Sequence, residues 1–161
     1  MRNRDDKVGD MKKGEWPTAF RDVRSLVCEN IYSSEGEDLF LHLVEHQVLT
    51  QEVSLSIGSV TLDGLRPIQR TAESREWIVR WRYVVAFKSS SESFYILHAF
   101  EDPYPGHSFY LTDSPWLEEF YRDTHLAAIH PDCRHFAIYT DHKIIEVLSP
   151  YEPEIERPPS R

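Results

Sequence analysis

A chain of 161 residues and 18.9 kDa is the size of one ordinary domain. With 40% hydrophobic and 12% aromatic residues it can close a core without disulfides or metal. A formal net charge of -9 works against sequence-independent binding to nucleic acid or anionic membrane, both of which need Lys and Arg to neutralise phosphate, and makes a basic protein the easier partner.

No run reaches the roughly 18 apolar residues of a membrane span, and MRNRDDKVGDMKKGEWP lacks the apolar centre of a signal peptide. The cytoplasm is therefore the expected location, with Cys28 and Cys133 as reduced thiols. Residues 1–16, polar and without periodicity, read as a flexible leader. Residues 17–150 read as a single domain, and the Pro- and Glu-rich residues 151–161 as a disordered tail.

Along the chain, Phe20, Val23, Val27 and Ile31 recur at helical spacing after Pro17 and Thr18, which predicts an amphipathic helix. Residues 38–50 fit two periods. Leu39, Leu41 and Leu43 alternate as in a strand, whereas Phe40, Leu43, Val44 and Val48 fit a helix, and the helix is the expectation. In QEVSLSIGSVTL, the alternation of Val53, Leu55 and Ile57 predicts a strand with Gly58 at a bulge or turn. EWIVRWRYVVAFK places Trp77, Val79, Trp81, Tyr83, Val85 and Phe87 on one face of a long strand. A turn through residues 89–92 would set Phe87 against Phe94, Val85 against Ile96 and Tyr83 against His98.

In DSPWLEEFYRDT, Ser114 is a helix N-cap, Pro115 the first helical residue, and Leu117, Phe120 and Tyr121 the packing stripe. RHFAIYT and KIIEVLS flank Asp141 and His142 as a second hairpin, with Phe136 opposite Val147 and Ile138 opposite Ile145. Together these elements predict an α+β domain: an antiparallel β-sheet of about five strands built from two hairpins, with two or three helices packed on one face.

One stretch spells a chemical signature. HLVEH within EDLFLHLVEHQVL matches the inverted zinc-protease pattern, in which two histidines one helical turn apart bind zinc and the glutamate activates a water. His42 and His46 would be the ligands and Glu45 the base of a zinc-dependent hydrolase. The pattern arises by chance in roughly 4% of chains of this composition, and on a helical wheel the three residues lie off the apolar stripe, where a solvated face belongs.

A second group, His98, His107, His125, His130, Cys133, His135 and His142, offers imidazole and thiolate without the paired spacing of a structural zinc site. Cys133 and His135, two residues apart, lack the converging geometry of a catalytic pair. No Gly-rich phosphate loop or nucleophile elbow is present.

What remains is surface. FEDPYPGHSFY sets acidic and aromatic side chains on a Pro- and Gly-rich loop, which makes Glu101, Asp102, Tyr104 and His107 the expected contacts to a protein partner. The sequence thus reads as a non-enzymatic interaction module, in general character like inhibitors or toxin-neutralising immunity proteins, with no cofactor; the zinc hydrolase is the alternative.

Overall fold

Half of the described chain is strand, and the segment expected to open as a helix is where the difference begins. The computed structural model describes residues 13–15, 18–34, 36–91, 107–111 and 114–158. After β1 (Lys13–Glu15), residues 18–20 make one 3-10 turn, and β2 (Leu26–Ser33) runs as a strand. Its β-branched and aromatic residues suit a pleated surface better than a helix, and Leu26 and Cys28 are its buried residues.

β3 (Leu39–Glu45) is likewise a strand, with Leu39, Leu41 and Leu43 all buried, so of the two periods in residues 38–50 the alternating one wins. Short β4 (Gln47–Val48) leads to β5 (Val53–Ile57), β6 (Val60–Leu65), β7 (Ile68–Gln69) and β8 (Glu76–Trp81). β9 (Ala86–Ser91), β10 (Ser108–Leu111), helices α1 (Pro115–Asp123) and α2 (Leu126–Ile129), β11 (Arg134–Tyr139), β12 (Lys143–Ser149) and β13 (Glu154–Glu156) complete the order.

The α+β expectation is overturned. The described residues are mostly β (51% strand, 12% helix), and only α1 among the described helices exceeds one turn or so. A five-stranded sheet, ordered β1-β10-β11-β12-β9, packs on a four-stranded sheet, ordered β13-β8-β3-β2. Leu41, Leu43, Trp77, Val79 and Trp81 from the smaller sheet meet Phe136, Ile138, Ile145 and Val147 from the larger in one core. Phe20 closes its end edge-on to Trp77, with ring centroids 5.3 Å apart.

The outer face of the larger sheet is covered in part by α1 and α2. Leu117 and Leu126 pack there on Cys133 and Leu148, while Ala137, Tyr139 and Ile144 form a second outer cluster with Phe109 and Leu111, so β11 and β12 are buried on both faces. α1 starts as its sequence dictates: Ser114 Oγ accepts from Leu117 N at 3.1 Å, with Pro115 at the first position.

The long strand expected from residue 76 to 88 is two strands in different sheets. β8 pairs with β3, whereas β9 pairs with β12, Phe87 opposite Val147. The chain crosses over at residues 82–85, held by Val85 N donating to Leu148 O at 2.9 Å and Ser149 Oγ to Tyr83 O at 2.6 Å. The expected partners Phe94, Ile96 and His98 lie outside the described residues. By contrast, β11 and β12 pair as expected, Phe136 with Val147 and Ile138 with Ile145.

At the chain ends, Lys13–Glu15 of the expected leader adds to β10, and Glu154–Glu156 of the expected disordered tail adds to β8. The Glu154 carboxylate accepts from Arg82 Nε at 2.7 Å. No helix among the described residues is long and apolar enough to cross a membrane.

Candidate functional site

Of the residues expected to contact a partner, Glu101, Asp102 and Tyr104 lie outside the described residues. His107 is half-buried and turned inward. Its Nδ1 lies 2.9 Å from Tyr139 O and its Nε2 3.0 Å from Val23 O, while its own carbonyl accepts from Tyr139 N at 2.7 Å. It ties the loop after the 3-10 turn to the end of β11.

Residues 42–45 of the HLVEH segment end strand β3 and His46 links it to β4, so no helical turn is present and the geometry the zinc alternative needs is removed. Along extended backbone His42 and His46 are about 13 Å apart, not stacked on one helical turn. His42 Nε2 donates to Glu76 Oε2 at 2.9 Å and its Nδ1 lies 3.5 Å from Glu29. Arg70 bonds to both of these carboxylates.

Glu45 accepts two hydrogen bonds from Arg75, each 2.8 Å, and Arg75 reaches Asp22 as well. That guanidinium outweighs burial and holds the Glu45 carboxyl below the usual glutamate range, so it is a poor proton acceptor. Nor do the later histidines among the described residues converge: His125 and His142 are exposed, His130 lies tilted against Tyr83 and edge-on to Tyr151, and His135 is buried. Among the described residues no three His, Cys, Asp or Glu side chains gather closely enough to hold a metal.

Cys28 and Cys133 are buried and unbridged, and burial pushes both thiols up to about 11, far from a reactive thiolate. Under α1 sits a buried polar group that sequence reasoning treated only as histidine. Glu146 Oε1 lies 3.0 Å from His135 Nε2 and Oε2 lies 3.1 Å from Lys88 Nζ, which also stacks over Trp116 at 4.3 Å. The His135 contact is close but poorly aligned for a hydrogen bond, and neither His135 ring nitrogen has a well-formed hydrogen bond among the described residues. Burial works to raise the Glu146 carboxyl, but the His135 contact and the Lys88 charge outweigh it and hold it below its usual range. Such compensation is what a buried carboxylate needs in order to stay folded.

The unpaid surface lies elsewhere. Between β3 and β8, residues 46–75 run out and back as one extended β-arm. β4 pairs with β7 (Val48 with Ile68), then β5 with β6 (Val53 with Leu65, Leu55 with Leu62, Ile57 with Val60). Gly58, at φ 60, allows the tight reversal with Ser59, and Gly64, at φ 72, absorbs the extra residue of β6.

Alternation sorts the arm into two faces. Ser56 and Thr61 hydroxyls meet at 3.1 Å on one face, with Ser54 donating to Asp63 at 2.5 Å. On the other stand Val53, Leu55, Ile57, Val60 and Leu62, exposed by 40%, 48%, 64%, 57% and 45%. The signal for the hairpin was in the sequence, as matched alternation on both sides of Gly58 and Ser59; that this face lacks a cover was not. Searches of family models, curated proteins and solved structures found no match to the chain, so its function has to be read from this geometry.

Proposed function

We propose that the protein is a non-enzymatic protein–protein interaction module, of the inhibitor or immunity-protein kind, that docks through the apolar face of its β5–β6 arm. The observation that carries this reading is the row of five branched side chains standing in solvent on one face of a two-stranded ribbon. A clustered apolar face of this kind marks a contact surface, whereas isolated exposed apolar residues do not.

The ionic side chains nearby support it from the other direction. His42, Glu45, Arg70, Arg75 and Glu76 are engaged with one another or with Glu29 and Asp22, an arrangement that stiffens the root of the arm and leaves little for catalysis. The segment with Glu101, Asp102 and Tyr104 is a second proposed contact, where the net charge of -9 favours a basic protein over nucleic acid or membrane. The two buried free thiols suit the cytoplasm.

A photo-reactive amino acid in place of Ile57 is expected to give a covalent protein adduct in cells, and one in place of exposed Glu119 on α1 to give none. Absence of any adduct from the arm would overturn the reading.

A further inference from the structure

Resting on the proposal that the arm is a docking surface, we infer that its occupant is a second copy of this chain, the two arms packed apolar face to apolar face about a twofold axis. Charge is the first reason. The chain carries -9, yet residues 46–70 hold Glu52 and Asp63 against Arg66 and Arg70, which sum to zero. Glu52 and Arg66 already pair with each other at 3.3 Å, and the apolar face carries no charge at all. A basic partner would be drawn to the acidic body, whereas two neutral arms meet without repulsion at the contact.

Shape and area are the second reason. A twofold contact is self-complementary by construction, because each arm presents the same row to the other. Roughly half-exposed Val53, Leu55, Ile57, Val60 and Leu62, with the exposed Val48–Ile68 pair nearer the body, amount to on the order of 500 Å² of apolar surface per copy. Two copies then approach the roughly 1,000 Å² at which specific interfaces begin. Faces packed this way sit about 10 Å apart, as in a sandwich. The Ser54, Ser56, Thr61 and Asp63 side stays in water.

Sedimentation equilibrium on the purified full chain tests this. The expected result is a reversible dimer of twice 18.9 kDa. Leu55→Asp enters the twofold contact twice and should weaken the dimer roughly a hundredfold or more, with the thermal unfolding midpoint unchanged at concentrations where the wild type is already monomeric. Ser56→Asp, on the opposite face, should leave it intact. Going from about 10 mM to about 1 M salt shortens the screening length from roughly 30 Å to 3 Å. Because it screens repulsion between two acidic bodies, it should tighten the dimer several-fold.

A monomer at every concentration, equal damage from Ser56→Asp, or a dimer weakened by salt overturns the inference. A monomer whose Ile57-position probe still captures a different protein would leave the interaction module standing and remove only the second copy. No adduct of either kind would remove both.

Discussion

β8 and β5 are written in the same alternating code and meet opposite fates. In β8, Trp77, Val79 and Trp81 point into the core and are at most 1% exposed, whereas in β5, Val53, Leu55 and Ile57 keep 40% or more of their surface in water. The difference lies in the neighbours. β8 is flanked by β3 and β13 and faced by a second sheet, while β5 has β6 beside it and no other strand among the described residues. Alternation states which face is apolar; only assembly with other strands states whether that face is used within the chain.

The largest expected contrast between the two regions is in thiol reactivity. Cys28 inside the sandwich and Cys133 beneath α1 and α2, both buried and pushed up to about 11, should react with iodoacetamide at neutral pH only when the layer over each one opens. A cysteine placed at Ile57→Cys should react at least roughly a thousandfold faster at dilutions where the chain is monomeric, as read by mass spectrometry over time. Comparable rates at the three positions would mean that neither the sandwich nor the helical layer buries its thiol.

Next in size is truncation of the core. Leu41→Ala should cost about 2–5 kcal/mol in denaturant melts, through lost burial and the cavity left beside Val79. The same truncation on the arm, Leu55→Ala, should fall within about 0.5 kcal/mol for the monomer. Similar losses at the two sites would show that the arm is packed against the body.

Glu146→Gln falls between these two, at about 1–3 kcal/mol, because it leaves buried His135 without its carboxylate while half-exposed Lys88 relaxes into water. Its pH dependence has a definite sign. The folded carboxyl titrates below the ordinary value of 4.5, so the native chain holds fewer protons than the unfolded one in this window. The contribution is complete above that value and disappears as the pH falls through the lower, folded value. Wild type and Glu146→Gln should therefore converge in stability in acid, and a gap that widens there would contradict the pairing.

Some elements were legible because everything that specifies them is close in sequence. The α1 cap needs Ser114 to reach Leu117 N, three residues on, and the β11–β12 register needs only the tight turn at Asp141 and His142 and two apolar rows that must coincide. Residues 38–50 were not legible in this way, since their apolar positions satisfy two periods. The choice of strand is made by Trp77, Val79 and Trp81, more than thirty residues away, whose faces match Leu43, Leu41 and Leu39. The zinc-like spelling of HLVEH fell with that choice, because His42 and His46 share a ligand geometry only on a helix.

The sequence by itself therefore determined which side chains are apolar and in what local rhythm, together with the helix cap, the tight turns and the acidic charge. Tertiary structure decided the rest. It set the strand in place of a helix at residues 26–33 and 39–45, the crossing between sheets at 82–85, the recruitment of Glu154–Glu156 and the arm left uncovered. The physical reason is that a strand satisfies its backbone hydrogen bonds and buries its apolar face only against partners distant in the chain. Its state is fixed by which partners are present, and local rhythm supplies no record of that.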